Sequence, residues 1–215
     1  MKFENTEVFN FQGAIRGMRN PKNSWDRSDS WFDPDNPRRF ELGKADLKLM
    51  QTLINAGSEH RKFMRQIFIC VDIVAPAYIM AEIDTYKTGI TRNSCSFQHK
   101  GTAKPFELSD FEIDFEIDEK HQEKIIWDDI LYDLNEYRDL YLETKNYNFF
   151  RAIRQMLPQS YLYRATFTMN YENIYNIYHQ RKNHPLKEWS EDFVRWVETL
   201  PYAEELIIGI DKKGA

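Results

Sequence analysis

The apolar positions of this chain fall into short blocks whose periods change along its length. Residues 7 to 15 (EVFNFQGAI) alternate as a strand does. Residues 44 to 56 place Leu47, Met50, Leu53 and Ile54 at helical spacing and close on Gly57, a C-cap signal. IFICVDIV (67–74) reads as a strand running to Ala75-Pro76, and AYIMAEIDTYKTG (77–89) as a helix that delivers the chain to GITRNSCSFQHK. Between 106 and 118, Phe111, Ile113, Phe115 and Ile117 alternate strictly, which suits a strand with an acidic outer face; Ser109-Asp110 suits a short helix cap instead. From 119 to 145, Ile126, Ile130, Leu134, Tyr137 and Tyr141 trace a long amphipathic helix for core or subunit packing. A further helix buries Phe150, Ile153 and Met156 and stops at Leu157-Pro158, because proline disfavours helical geometry in the residue before it. Residues 160 to 168 are β-branched and aromatic but irregular, and Asn170 is an N-cap for a helix from Tyr171 to Lys182. LKEWSEDFVRWVETL (186–200) buries Trp189, Phe193, Trp196 and Val197 up to Pro201, and ELIIGI (205–210) is strand-like.

Residues 16 to 43 show no clear period over nearly thirty positions, so a long loop is expected at 17–43; its Arg16, Arg19, Trp25 and Trp31 mark it either as functional or as a surface loop packed on the body. At 215 residues, with 42% hydrophobic and 15% aromatic positions, the chain is expected to form one domain over 1–215. A net charge of -5 argues against a nucleic-acid groove but leaves small anions open, since local arginines decide those. Cys70 and Cys95 cannot build a disulfide framework, and a reducing compartment is expected. The first residues do not resemble a signal peptide, and the apolar run at 67–81 is short and interrupted by Asp72 and Pro76, so a soluble, cytoplasmic protein without membrane partners is expected.

The chemistry concentrates between Arg154 and His184, where arginines, asparagines and histidines lie among aromatics. Asn170 and Arg181 are eleven residues apart and, at about 100° per residue, return to nearly the same azimuth; Asn176 lies a third of a turn away, toward another surface. The chain has no CxxC, HExxH, GxGxxG or Walker pattern, which sets aside zinc and the usual dinucleotide and NTP loops. Cys95 is expected to be a small packed residue rather than a nucleophile.

From Arg154 through Arg181 the stretch resembles, without a gap, the C-terminal half of the flavin-dependent thymidylate synthases (ThyX family). The resemblance implies substrate contacts at Arg154, four residues before Pro158 of the Leu-Pro stop, and at Arg181. It implies flavin contacts at Asn170 and Asn176, with His184 nearest the family's flavin histidine. His60 and Arg61, beside Phe63, stand where the family has a flavin-contacting cluster before its strand. The signature RHRxxSxNExSxR falls on Tyr86–Gln98: Asn93 and Ser96 are kept, and Thr91 stands for the first serine. Tyr86, Lys87 and Thr88 replace Arg-His-Arg, Ser94 replaces the glutamate and Gln98 the closing arginine. On this reading Ser94, Ser96 and Gln98 join the substrate set and Asn93 the flavin set. A glutamine is a poorer phosphate partner than a bidentate arginine, while Lys87, Arg92, His99 and Lys100 supply charge nearby. The site is therefore rebuilt, retuned or inactive.

The resemblance implies an α/β (α+β) fold with a central, mostly antiparallel sheet packed by helices, and a homotetramer with sites shared between subunits. It implies reductive methylation of dUMP to dTMP with FAD as cofactor and NADPH and methylenetetrahydrofolate as co-substrates. The alternatives are a related flavoenzyme modifying another pyrimidine nucleotide, or a non-catalytic flavin- or nucleotide-binding protein.

Overall fold

Alternating burial along two strands builds the centre of the sheet. In the computed structural model, which describes residues 1–33, 35–113 and 122–210, β4 (Phe68–Pro76) buries Ile69, Val71 and Ile73, and β6 (Leu162–Asn170) buries Ala165, Phe167 and Met169. With β1 (Lys2–Phe9) and β5 (Thr91–Ser94) they form a four-stranded sheet in the order β1-β4-β6-β5. The chain is thus a mixed α/β fold whose antiparallel sheet is packed by helices.

The expected strand at 7–15 is corrected. β1 ends at Phe9, Asn10 takes a left-handed conformation (φ 74°), and α1 runs Phe11–Arg19. The helical period there is Phe11, Ala14 and Ile15, all buried, and Gly13 and Gly17 obscure it in the sequence. The Asn10 side chain packs against Gly13 where a Cβ would stand, so a larger residue there would displace it.

The expected loop at 17–43 also carries structure. A hairpin of β2 (Trp31–Asp33) and β3 (Asn36–Glu41) pairs Phe32 with Phe40. Asp46, buried near the start of α2 (Lys44–Asn55), holds this segment down. It accepts from Arg19 Nε at 2.6 Å, from the hydroxyls of Ser28 and Ser30 at 2.7 Å each, and from the amides of Asp29 and Ser30 at 3.1 Å each. Asp29 in turn caps α2, accepting from the amides of Ala45 and Asp46. Burial raises the Asp46 carboxyl, but the donors from Ser30, Ser28 and Arg19 outweigh it and hold it below the ordinary range.

The chain divides into two compact units. The first, Met1–Ile73 with Tyr86–Arg92 and Thr166–Ala215, centres on α7 (Tyr171–Arg181), which buries Tyr171, Ile174, Tyr175, Ile177 and Tyr178. The C-terminal segment coils π-helically over Glu188–Phe193 and continues as α8 (Val194–Glu198), burying Trp189, Phe193, Trp196 and Val197 as expected. The strand-like ending is corrected: Glu204–Ile208 forms a wide helical turn closed by Gly209 N–H donating to the Glu204 carbonyl at 2.8 Å.

The second unit, Val74–Thr85 with Asn93–Ala165, holds α3 (Ala77–Ile83), α4 (Phe97–Lys100), α5 (Gln122–Thr144) and α6 (Tyr147–Met156). Phe97, Phe106, Phe111, Trp127, Leu134, Phe150 and Ile153 form its core. Two helix faces differ from expectation: Ile126 and Met156 are exposed, and Trp127 takes the buried place on α5. In the 106–118 segment, Leu108–Asp110 makes a short 3-10 turn capped by Glu107, and Phe111 bridges Tyr161; the expected strand positions Phe115 and Ile117 lie outside the described residues. No helix among the described residues is long and apolar enough to cross a membrane.

Candidate functional site

The expected N-cap organises the first unit's polar groups. Asn170 Oδ1 accepts from the Asn173 amide at 3.0 Å, and Asn173 Oδ1 accepts from the Asn170 amide at 3.0 Å, so the pair closes both ways. Asn173 Nδ2 also donates to the Thr88 carbonyl at 2.7 Å. Gly89, at φ 77°, packs where a Cβ would meet Asn170 Nδ2 at 3.0 Å, so a side chain there would strain the backbone and crowd the cap.

The segment from Tyr86 thus runs alongside α7, and its other anchor is Arg181. Arg181 Nε donates to Tyr86 Oη at 2.7 Å, and its guanidinium lies 5.7 Å from the Tyr86 ring and 5.2 Å from the Trp189 ring. Asn170 and Arg181 therefore both meet the 86–89 segment, consistent with their shared azimuth about 16 Å apart along the helix. Tyr86, which the resemblance sets in place of an arginine, thus holds Arg181.

On another face of α7, Glu172 is buried and accepts from Arg61 Nε at 2.9 Å and from Arg65 Nε. Burial raises its carboxyl, and the hydrogen bonds from Arg65 and then Arg61 reverse the shift and lower it. Arg61 also reaches Asn176 Oδ1 at 3.4 Å and lies 4.6 Å above the Tyr175 ring. Two of the expected flavin residues, Arg61 and Asn176, are joined by this network. His60 is exposed and lines a neighbouring cavity of about 680 Å³ with Lys22, Arg27, Lys48 and Lys62 against Glu59. His184 stands in the turn after α7, its Nδ1 accepting from the Leu186 amide at 3.2 Å.

In the second unit, Asn93, Ser94, Ser96 and Gln98 are exposed on and after β5. Gln98 and Arg154 line one cleft of about 510 Å³ together with Tyr147, Phe150 and Arg151. Arg154 lies 5.1 Å from the Phe97 ring, and Arg151, three residues earlier on α6, shares its face. Cys95 is not packed as expected but exposed, its amide donating to the Arg164 carbonyl at 3.0 Å. That bond uses only backbone, so Cys95→Ser is expected to leave the melting temperature near the parent's and ligand affinity within a few-fold of it. A complete loss of ligand binding with the fold intact, seen by calorimetry, would revive a role for the thiol.

Four groups escaped the sequence reading: Glu172, Arg65, Asn173 and Arg151. The signal for Asn173 was present, since asparagines at N-cap and three residues on form a reciprocal cap. Glu172 and Arg65 carry no local signal, because they meet across 107 residues.

No protein-family model matches the sequence. No curated protein matches it either. Solved structures do match. A thymidylate synthase X (ThyX) from Helicobacter pylori with FAD and dUMP superposes with a TM-score of 0.69 at 17% identity, covering 96% of this chain and 97% of that one. A flavin-dependent thymidylate synthase ThyX from the same organism, complexed with FAD and dUMP, gives 0.68 at 16% identity, with 96% and 98% covered. The chain therefore has a ThyX-like fold along almost its whole length.

Proposed function

We propose that this chain is a divergent flavin-dependent thymidylate synthase that reductively methylates dUMP to dTMP. The observation that carries the reading is the surface of α7. Two of its faces carry groups suited to an anionic, ring-bearing ligand: the asparagine cap and the Tyr86-held Arg181 on one, and the Arg61–Asn176 contact on the other. The two Helicobacter structures hold FAD and dUMP, which are the ligands this reading assigns.

The residues present fit a flavin dinucleotide. The cavity beside His60 is of ordinary ligand size, and among the described residues that line it Lys22, Arg27, Lys48 and Lys62 face one carboxylate, Glu59, so its charge favours a diphosphate. In this proposal FAD is held by His60, Arg61, Asn170 and Asn176, with Asn93 and His184 completing its contacts. When bound and reduced by NADPH, it supplies the hydride that completes a methyl group whose carbon comes from methylenetetrahydrofolate. The chain's own part is binding and orientation. Arg181 presents a charge already fixed by Tyr86, so little side-chain freedom is lost on binding. Arg154, with Gln98, Ser94 and Ser96, supplies charge and donors for the nucleotide's phosphate. A homotetramer sharing sites between subunits and a cytoplasmic location belong to the same reading.

A second reading is favoured by Ser94 and Gln98, which leave the signature with fewer charges: a flavoenzyme acting on another pyrimidine nucleotide, or a flavin- or nucleotide-binding protein without catalysis. The purified protein is expected to show the visible absorbance of oxidised flavin, or to gain it with added FAD, and to rescue a thymidine-requiring strain. A protein that stays colourless with FAD sinks the flavin reading. Bound flavin without rescue leaves the second reading in possession.

A further inference from the structure

Arg19, Arg61, Arg65 and Arg195 each pair with a carboxylate. Arg151 and Arg154 on α6 do not: among the described residues no carboxylate lies within ion-pair distance of either. Both are exposed, three residues apart, and both open onto the cleft of about 510 Å³ that Gln98, Tyr147 and Phe150 also line. Like charges at this helical spacing repel, so the pair works against folding.

Local structure accounts for Arg154. It stands in the last turn of α6, where the helix dipole favours a cation, and its guanidinium lies 5.1 Å from the Phe97 ring. Arg151 gains neither. It sits a turn earlier, and no aromatic ring among the described residues meets its guanidinium.

The helix that carries both is fixed at its two ends. Asn146 caps it by accepting from the Asn148 amide at 3.1 Å, and the Leu157 amide closes it on the Ile153 carbonyl at 2.9 Å. Beneath it, Phe150 meets Phe97 at 6.0 Å in the core of the second unit. Gln98, next to Phe97 on α4, brings an uncharged amide donor to the same cleft. A rigid floor with two cations and a neutral donor above it binds an anion with little ordering cost. The charge and the planar forks suit a phosphate monoester, which carries about -1.5 to -2 near pH 7.

We infer that Arg151 is a specificity-determining residue of the nucleotide site, joining Arg154 in a two-guanidinium seat that takes the substrate's phosphate as a dianion. It supplies from α6 the charge that Gln98 does not. The resemblance assigns Arg151 no role, and the inference rests on the nucleotide reading proposed above.

The test is calorimetric titration of the full-length protein with dUMP and with deoxyuridine, which lacks the phosphate, at about pH 7.5 and about pH 5.5, on either side of the phosphate's second pKa of about 6. Arg151→Gln is expected to weaken dUMP binding about 10- to 100-fold and to leave deoxyuridine binding within about twofold. Its ligand-free melting temperature should not fall, because the substitution relieves a repulsion. Arg151→Lys keeps the charge without the fork and should recover part of the affinity. In the parent, dUMP binding should weaken at the lower pH as the phosphate takes up a proton, and Arg151→Gln should flatten that dependence, which a residue that merely packs α6 would leave unchanged. Arg195→Gln removes an equal charge from a residue paired with Glu191 and should leave dUMP binding within about twofold. The inference is overturned, with the nucleotide reading intact, if the parent binds dUMP and Arg151→Gln binds it as tightly. It is overturned in the same way if the variant loses dUMP and deoxyuridine equally, or if Arg195→Gln weakens dUMP as much. A parent that binds neither dUMP nor dCMP overturns the nucleotide reading, and this inference with it.

Discussion

Asp46→Asn is expected to lower the free energy of unfolding by about 3–5 kcal/mol, the range for breaking a buried ion pair from one side. The carboxylate is fully buried and takes five donors, so the amide both leaves Arg19 uncompensated and turns one acceptor into a donor facing other donors. The loss spreads, because Ser28, Asp29 and Ser30 fix the start of the β2–β3 hairpin and Asp29 caps α2. Chemical denaturation of parent and variant measures it. A change below about 1 kcal/mol would mean that the segment holds without its carboxylate. The pH dependence has a defined sign. The Asp46 and Glu172 carboxyls are both lowered in the fold, so each contributes stability that is present above its unfolded value, about 3.9 for Asp and 4.3 for Glu. That contribution is lost as pH falls through the still lower folded values. Stability of the parent should therefore drop below about pH 4, and less steeply in Asp46→Asn.

How much of this was readable depends on whether the signal is local. Asn170 was legible as a cap because asparagine before a helical run is itself an N-cap signal, and α6 was legible because Leu157-Pro158 ends it locally. α2 and β4 were legible from their apolar periods. α1 was not, because Gly13 and Gly17, packed beside the side chains of Asn10 and Gln66, interrupt the apolar pattern with residues of poor helix propensity. The β2–β3 hairpin was hidden because its strands are short and its aromatics face a cleft as well as a core, which erases alternation. Ile126 and Met156 went to the wrong side because periodicity defines an apolar stripe and packing decides its edge. In the candidate site, the arginines and asparagines were visible as residue types. What pairs with them was not: Arg61 meets Asn176 across 115 residues and Arg181 meets Tyr86 across 95.

That last pairing makes a quantitative expectation. Arg181→Ala is expected to weaken dUMP binding by about 1.5–3 kcal/mol, the value of a charge-assisted hydrogen bond, or roughly 10- to 150-fold in Kd. Flavin affinity should change far less, because the groups assigned to FAD are anchored elsewhere: Arg61 on Glu172, and Asn170 on the Asn173 amide. Tyr86→Phe separates charge from placement. It keeps the ring beside Arg181 and the stack on Trp189 but removes the hydroxyl that accepts from Nε, so the guanidinium keeps its charge and loses one constraint. The expected cost is smaller, about 0.5–1.5 kcal/mol, and should appear as weaker dUMP binding with unchanged melting of the ligand-free protein. The stabilisation that saturating dUMP adds to the melting temperature should follow the same order: parent, then Tyr86→Phe, then Arg181→Ala. Titration calorimetry and thermal shift on all three proteins decide it. If Arg181→Ala melts far below the parent without ligand and loses FAD and dUMP equally, the Tyr86–Arg181–Trp189 cluster is a structural clamp, and the tyrosine stands in the signature to hold α7 rather than a nucleotide.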